Sequence, residues 1–162
     1  NITYAAELLR SLDNLTDIEV DKDNKSFVLE RNALFNADKT ILFRCLADKV
    51  KGEFIVPDSV TAIAYNAFKN GTGLKSIKIP ASVEDIADTI EGCSSLDAIK
   101  VSKSNKYYSS VNGVLFNSDL SSIYRYPQNH SCTSYELPNF VQWICSGAFK
   151  DCDKLIKNFF CH

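Results

Sequence analysis

Two stretches of the sequence decide the fold: VPDSVTAIAYNAFKNGTGLKSI at residues 56–77 and IPASVEDIADTIEGCSSLDAI at residues 79–99. They begin 23 residues apart. Both place an apolar residue, proline, valine and isoleucine in the same order, and then a leucine followed by isoleucine. Self-similarity at a short period is typical of a repeat architecture. We therefore interpret the two stretches as consecutive copies of one structural unit.

This short repeat lies inside a longer repeat of 81 residues. Residues 113–127 read GVLFNSDLSSIYRYP, and residues 32–44 read NALFNADKTILFR, 81 positions earlier. Matches at the same distance extend from Leu15 on one side to Leu74 on the other, and the register never changes. A match of this length without a gap indicates that the two halves of the chain are duplicates.

The two periods divide the chain into short units and longer inserts. Four short units are predicted, at about 1–20, 54–79, 79–101 and 135–160. Two inserts separate them, at 21–53 and 102–134. We predict one solenoid domain over 1–162. Because the sequence contains no methionine, we interpret it as a piece of a longer array.

Each short unit contains a strand signal followed by a stop signal. Leu74, Ile77 and Ile79 follow the spacing L-x-x-I-x-I, and the last two alternate as on a strand with one buried face. Proline then ends the strand, because it cannot donate a ladder hydrogen bond. Burial of about four large side chains, at roughly 1.5–3 kcal/mol each, barely offsets the ordering of about twenty residues. The units must therefore stack on one another as a solenoid, with one continuous row of apolar side chains along the molecule.

Each insert contains two apolar, β-favouring runs that a short polar turn joins. Asp38 lies in the first turn and Asp119 in the second, and Asn24 and Asn105 precede the runs in turn-forming contexts. This pattern predicts a β-hairpin in each insert, placed between coils of the solenoid.

The template IPxSVxxIxxxAFxxCxxLxxIxIP resembles the BspA-type leucine-rich repeat of bacterial and protist surface proteins. The segments around GVLFN-x-D and RYP resemble the long spacer of the same proteins. The resemblance implies a leucine-rich-repeat solenoid, mainly β with short helical turns. A parallel strand ladder on one face and β-hairpin inserts between coils are expected.

The resemblance also implies a function. It points to a non-catalytic protein-protein interaction module of a secreted or cell-surface protein, which adheres to host matrix or to other cells. The expected partner is a protein ligand of the extracellular matrix or of a cell surface. Two alternatives stay open: structural spacer repeats with no ligand of their own, and an enzyme that uses cysteine and histidine.

The candidate protein-binding face follows from strand geometry. Residues between the apolar positions of the strand point out of the sheet. Solenoid curvature favours binding on such a face, and exposed aromatic residues favour it near the second insert. The repeat alignment stacks strand residues of successive units into two columns, one with Asp17, Ser76 and Ala98 and the other with Glu19, Lys78 and Lys100. With two tyrosines near the second insert, the candidate residues are Asp17, Glu19, Ser76, Lys78, Ala98, Lys100, Tyr107 and Tyr108. The alternative is a solvated face without a partner, with part of the tyrosine cluster packing the hairpin onto the solenoid.

The six cysteines do not define a disulfide framework. Cys93 and Cys152 share a repeat position that also accepts leucine or glycine, so buried free thiols are expected there. Whether Cys45, Cys132 and Cys161 are free or paired stays open, because six cysteines allow 15 pairings.

No metal or cofactor site is expected. His130 with Cys132, and Cys161 with His162, are the close pairs of cysteine and histidine in the sequence, and each pair is too small a set for zinc. Neither histidine lies in a pattern that would activate a cysteine nucleophile. We therefore predict no catalytic, cofactor-binding or metal-binding residues, and we predict that the protein is not an enzyme.

Composition excludes two classes of partner. The chain has 18 basic and 20 acidic residues and a net charge of −2, so it lacks the basic excess that nucleic acid or an anionic membrane requires. No apolar run approaches the roughly 20 residues of a membrane helix. We expect no nucleic acid, no membrane insertion by this segment, a monomer, and an extracellular or cell-surface location.

Overall fold

A computed structural model describes residues 9, 12, 15–87 and 90–155 of the chain. Twelve short strands lie in this part of the protein. They are β1 (Phe27–Glu30), β2 (Ala33–Asn36), β3 (Ile41–Cys45), β4 (Gly52–Ile55), β5 (Ala62–Ile63), β6 (Leu74–Ile79), β7 (Asp85–Ile86), β8 (Ala98–Val101), β9 (Tyr108–Val111), β10 (Val114–Asn117), β11 (Ser122–Arg125) and β12 (Trp143–Ile144). No helix of the described residues is long and apolar enough to cross a membrane.

The first ladder is a parallel three-stranded sheet in the order β4-β6-β8. Phe54 pairs with Ile77, and Ile77 pairs with Ile99, so these apolar side chains stack in one row. Ile77, Ile99 and the leucines that precede them in each unit, Leu74 and Leu96, are buried in one core cluster. This confirms the predicted stacking of coils, because no unit buries its apolar side alone.

A second ladder runs along the solenoid. Strands β3, β5 and β7 pair in parallel, and β11 and β12 pair in parallel in the second half. Together the ladders define a solenoid of about 5 turns, and the described residues contain almost no helix. The Ala-Phe segments of the template form turns at 65–70 and 146–151, in which Asn66 and Gly147 adopt the left-handed conformation.

The predicted hairpins are confirmed. Strands β2 and β3 are antiparallel around the turn that contains Asp38, and β10 and β11 are antiparallel around the turn that contains Asp119. Each insert also contributes a third strand, β1 or β9, on the outer side of its hairpin. The last strand of each hairpin belongs to the second ladder, so part of each insert is itself a coil.

Strand β4 differs from what the sequence pattern predicted, since it begins in the segment interpreted as an insert and crosses the predicted boundary between residues 53 and 54. Residues 53–57 read EFIVP, with the apolar-x-apolar-Pro ending of SIKIP at 76–80. Strand β4 pairs with β6 and ends at Ile55, two residues before Pro57. Residues 15–20, the described end of the first predicted unit, form no strand. The rest of that unit, apart from residues 9 and 12, and residues 156–160 of the last unit lie outside the described residues.

The core of the described chain consists of two clusters with β10 between them. Leu115 packs in the first cluster, together with Tyr108 from β9. Val114 and Phe116, its neighbours on β10, pack in the second cluster. Because successive side chains of a strand point to opposite faces, one strand serves both cores.

The described cysteines are all free thiols. Cys45 and Cys93 are buried, Cys145 and Cys152 are half-buried, and Cys132 is exposed. Burial raises the pKa of the Cys45 thiol to about 12 and that of the Cys93 thiol to about 11. Cys93 therefore fits the prediction of a buried thiol, whereas Cys161 lies outside the described residues.

Candidate functional site

The face of the β4-β6-β8 sheet opposite the apolar row carries two columns of side chains. Each column takes one residue from each strand, and the strand register places the three side by side. The first column is Glu53, Ser76 and Ala98, and the second is Ile55, Lys78 and Lys100. We call these six residues the outer face.

Glu53 connects all three strands of the outer face. Its Oε1 accepts hydrogen bonds from Ser76 Oγ at 3.0 Å and from Lys100 Nζ at 2.8 Å. The hydrogen bond from Lys100 is the main reason why the pKa of the Glu53 carboxyl lies below its usual value. The carboxylate therefore keeps its charge in neutral solution and holds two side chains of neighbouring strands in place.

Four of the predicted residues lie on the outer face. Lys78 and Lys100 are exposed, as expected for alternating positions on a half-buried strand. Ser76 is buried, beside Glu53. Ala98 is half-buried because the turn between β9 and β10 comes close to it. A Cβ added to Gly113 in this turn would lie 3.0 Å from the Ala98 Cβ.

Asp17 and Glu19 lie outside the sheet, in the irregular segment 15–20. Asp17 forms an ion pair with Lys49, with 2.9 Å between Oδ1 and Nζ. The hydrogen bond from Lys49 lowers the pKa of the Asp17 carboxyl. Glu53 and Ile55 of β4 occupy the column positions that the sequence pattern assigned to these two residues.

The two tyrosines of the predicted face have different environments. Tyr107 is 46% exposed, whereas Tyr108 is only 8% exposed. The Tyr108 hydroxyl accepts a hydrogen bond from Ile86 N at 2.9 Å, and its ring packs edge-on against Tyr124. Burial raises the pKa of the Tyr108 hydroxyl. Tyr108 therefore joins β9 of the second insert to β7. Of the two tyrosines, Tyr107 is the one exposed enough to contact a partner.

Sequence reasoning missed an apolar surface at β12. Trp143 is 68% exposed and Ile144 is 50% exposed, with Phe140 exposed nearby in the sequence. Ile63, 81 residues before Ile144, is buried because β7 pairs with its strand. The repeat pattern predicts a core position for Ile144. Only the strand order shows that no described strand pairs with the outer edge of β12.

His130 is held by hydrogen bonds to Asn112, Tyr126 and Cys132. Its Nε2 lies 2.8 Å from the carbonyl oxygen of Asn112, so this nitrogen carries the proton. Its Nδ1 accepts hydrogen bonds from the Tyr126 hydroxyl and from Cys132 N. Both ring nitrogens are therefore occupied. Among the described residues, no three His, Cys, Asp or Glu side chains are grouped as metal ligands.

Comparison with known proteins agrees with this geometry. The family described as the BspA type leucine rich repeat region matches residues 39–124 and 121–161, with 6 copies of the repeat. The matches begin within the first insert, in keeping with the coil found there. No curated protein matches the sequence.

The solved structures similar to the chain include two leucine-rich repeat proteins. A leucine-rich repeat protein from Eubacterium ventriosum has 32% sequence identity and a TM-score of 0.59, and the alignment covers 62% of this chain and 27% of that one. A leucine rich cell surface protein from Faecalibacterium prausnitzii has 32% identity and a TM-score of 0.52, with 59% of this chain and 26% of that one covered. The aligned region thus spans about a quarter of each of those proteins.

Proposed function

Because the chain belongs to the BspA-type leucine-rich repeat family, we propose that it is a non-catalytic protein-protein interaction module of a secreted or cell-surface protein. Leucine-rich repeat proteins generally bind other proteins. The description of the Faecalibacterium structure as a cell surface protein supports the location. The ligand that we propose is a protein of a host matrix or of another cell, and the role is adhesion.

One observation carries the proposal: Ile55, Lys78 and Lys100 form an exposed column across the parallel sheet β4-β6-β8. Lys78 and Ile55 are exposed on it, and Glu53 fixes its neighbours across three strands. A surface that is already ordered loses little conformational entropy when a partner binds. Stacked coils present such a surface over their whole length.

A binding assay against purified matrix proteins and cultured cells tests the proposal. Lys78→Glu reverses a charge at the centre of the outer face, and we expect at least a ten-fold loss of affinity for the bound partner. Lys103→Glu makes the same charge change in an exposed turn outside the sheet, and we expect affinity to stay unchanged. Equal losses in both variants would contradict a role for the outer face.

A separate variant distinguishes the outer face from the apolar surface at β12. Trp143→Ser removes the most exposed large apolar side chain of the described residues. If this variant alone loses binding, the partner docks at β12 and the outer face is not the site. We expect Trp143→Ser to bind as the unmodified chain does.

The alternative function is that of a structural spacer. The charges of Glu53 and Lys100 compensate each other within the outer face, which favours a solvated surface without a partner. A spacer binds no member of the panel. If the unmodified chain binds none of the matrix proteins and cell types, the result favours the spacer over the adhesion module.

A further inference from the structure

We propose that His130 is an acid-sensitive switch, which holds the loop at 127–132 closed at neutral pH and releases it in mildly acidic solution. The loop follows Tyr126, a residue of the second core cluster. Within the loop, Asn129 N donates a hydrogen bond at 2.8 Å to the carbonyl of Leu96, a residue of the first core cluster. The loop therefore connects the two clusters. It contains no residue of β4, β6 or β8, so the switch is independent of the proposed outer face.

Only the neutral form of His130 fits the hydrogen bonds of the closed loop. The side chain is 9% exposed, and its Nε2 lies 2.8 Å from the carbonyl oxygen of Asn112. Because a carbonyl can only accept, Nε2 carries the proton, and Nδ1 of the neutral ring has a lone pair. Nδ1 accepts a hydrogen bond from Cys132 N at 3.2 Å and lies 3.0 Å from the Tyr126 hydroxyl oxygen.

A second proton on the ring creates a conflict at Cys132. The Tyr126 hydroxyl can rotate to accept a hydrogen bond from a protonated Nδ1, because a hydroxyl both donates and accepts. The hydrogen on Cys132 N cannot rotate, since the planar peptide group fixes its direction. Two N–H groups would then face each other across 3.2 Å. Burial of the charged ring adds a further cost. Protonation of His130 therefore favours an open loop.

Charged groups beside the loop do not remove this conflict. Asp97 accepts a hydrogen bond from Asn129 Nδ2, and Lys154 Nζ donates one to Oδ1 of the same amide. The negative charge of Asp97 favours a protonated imidazole and the positive charge of Lys154 opposes it, so the two effects compensate. The turn between β9 and β10 contributes a carbonyl and no charge. The tyrosine hydroxyls and thiols near the ring are neutral in acid.

The direction of the pH effect follows from proton binding. An imidazole in water gains its second proton at about pH 6.5. The open loop can bind this proton, whereas the closed loop uses the same nitrogen as an acceptor. The closed loop is therefore fully favoured above about pH 6.5 and is lost progressively as the pH falls below that value. Each pH unit below it lowers the ratio of closed to open loop by up to about ten-fold.

The duplication provides an internal control. Lys49 is the counterpart of His130, 81 residues earlier. Both residues end the same kind of turn, because Lys49 N donates to the Leu46 carbonyl at 2.9 Å and His130 N donates to the Pro127 carbonyl at 3.1 Å. The Lys49 side chain forms an ion pair with Asp17. The hydrogen bond from Lys49 lowers the pKa of the Asp17 carboxyl, which therefore keeps its charge at pH 5. The turn at Lys49 should not respond to this acid.

Amide hydrogen exchange of the whole 162-residue chain at pH 7.5 and pH 5.0 tests the switch. Protection is expressed relative to an unstructured peptide at the same pH, so that the intrinsic pH dependence of exchange cancels. We expect the protection of Cys132 N and Asn129 N to fall about 10- to 30-fold in acid. The protection of Lys49 N should stay unchanged. The ¹⁵N chemical shifts of the His130 ring at pH 7.5 should show a proton on Nε2 alone.

Two variants assign the pH response to His130. His130→Asn places an amide oxygen near the position of Nδ1 but cannot gain a proton, so we expect equal protection of Cys132 N at both pH values. His162→Asn makes the same change at the other histidine of the sequence, and the response should persist.

Four results would overturn the switch, and three of them need no variant. They are a proton on Nδ1 of His130 at pH 7.5, unchanged protection of Cys132 N at pH 5.0, an equal loss of protection at Lys49 N, and an unaltered pH response in His130→Asn. An equal loss at Lys49 N would assign the effect to general acid destabilisation of the chain.

Discussion

Asn105 shows how one amide can hold two coils together. Its Nδ2 donates hydrogen bonds to the carbonyls of Pro80 and Val83, and its Oδ1 accepts from Tyr107 N and Tyr108 N. All four bonds lie between 2.8 and 2.9 Å, and the side chain is buried. Its 81-residue counterpart, Asn24, is exposed and accepts hydrogen bonds only from Ser26 N and Phe27 N, within its own turn.

The two asparagines form a matched pair for mutation. Asn105→Ala should lower the free energy of unfolding by about 3 kcal/mol, because buried carbonyl and N–H groups lose their partners. Asn24→Ala should lower it by about 1 kcal/mol, because water replaces the lost bonds. Urea denaturation measures both values. Equal losses would show that the contacts of Asn105 to Pro80 and Val83 contribute nothing beyond the local turn.

We predict that Cys45 makes the protein less stable in alkaline solution. Burial raises the pKa of its thiol from the usual 9.0 to about 12 in the folded protein. Above pH 9 the unfolded chain therefore loses this proton while the folded chain keeps it, and stability falls as pH rises. Between pH 9 and about 12 the slope from this group is about 1.4 kcal/mol per pH unit.

Urea denaturation at pH 8, 9, 10 and 11 tests this contribution. Replacing Cys45 with alanine should make the loss of stability above pH 9 less steep. The matched variant, Cys132→Ala, changes an exposed thiol and should leave the slope unaltered. An identical slope in the Cys45→Ala protein would show that the thiol contributes nothing to the alkaline loss.

At the scale of elements, periodicity predicted the faces of strands but not all of their neighbours. The alternation of Ile77 and Ile79 correctly placed Lys78 in solvent, and the polar turns at Asp38 and Asp119 correctly placed two hairpins. The partner of β6 was assigned to residues 15–20, although β4 takes that place. Side-chain alternation is local information, whereas strand order depends on how the insert folds back.

The second insert replaces a neighbouring coil at the edges of both ladders, through β9 and the turn between β9 and β10. Ile99 N donates to the carbonyl of Gly113 at 2.8 Å, and Ile86 N donates to the Tyr108 hydroxyl at 2.9 Å. In a continuous solenoid, a strand of the next coil would accept both bonds. Gly113 adopts φ +82 and closely approaches Ala98, which accounts for glycine at this turn.

Tyr108→Phe tests whether the hydrogen bond from Ile86 N to the Tyr108 hydroxyl protects the edge of β7. The variant keeps the ring that packs against Tyr124 but removes the acceptor for Ile86 N, so we expect a loss of about 1–2 kcal/mol. Hydrogen exchange at Ile86 N should become faster relative to that of neighbouring amides. Tyr107→Phe, at the exposed adjacent ring, should change neither quantity. Unchanged hydrogen exchange at Ile86 N would show that the Tyr108 hydroxyl does not protect the edge of β7.

At the scale of the whole molecule, the described residues form two apolar cores that β10 connects. The first core contains the apolar row of β4, β6 and β8, and the second contains Ile123, Tyr126 and Ala148. The sequence predicted one continuous row of apolar side chains, because the same residue types recur at every coil. The interruption is a tertiary effect. The hairpin enters between coils, and its strand presents Leu115 to one core and Val114 and Phe116 to the other.

This arrangement predicts that the two halves of the chain unfold together. Solenoids can unfold in parts when the contacts between coils are weak, but β10 belongs to both cores. Leu115→Ala should cost about 2–5 kcal/mol, and the loss should appear equally in amide exchange of β6 and of β11. Ile55→Ala, at an exposed position, should leave both unchanged. Loss of protection in β6 alone would show that β10 separates the cores instead of coupling them.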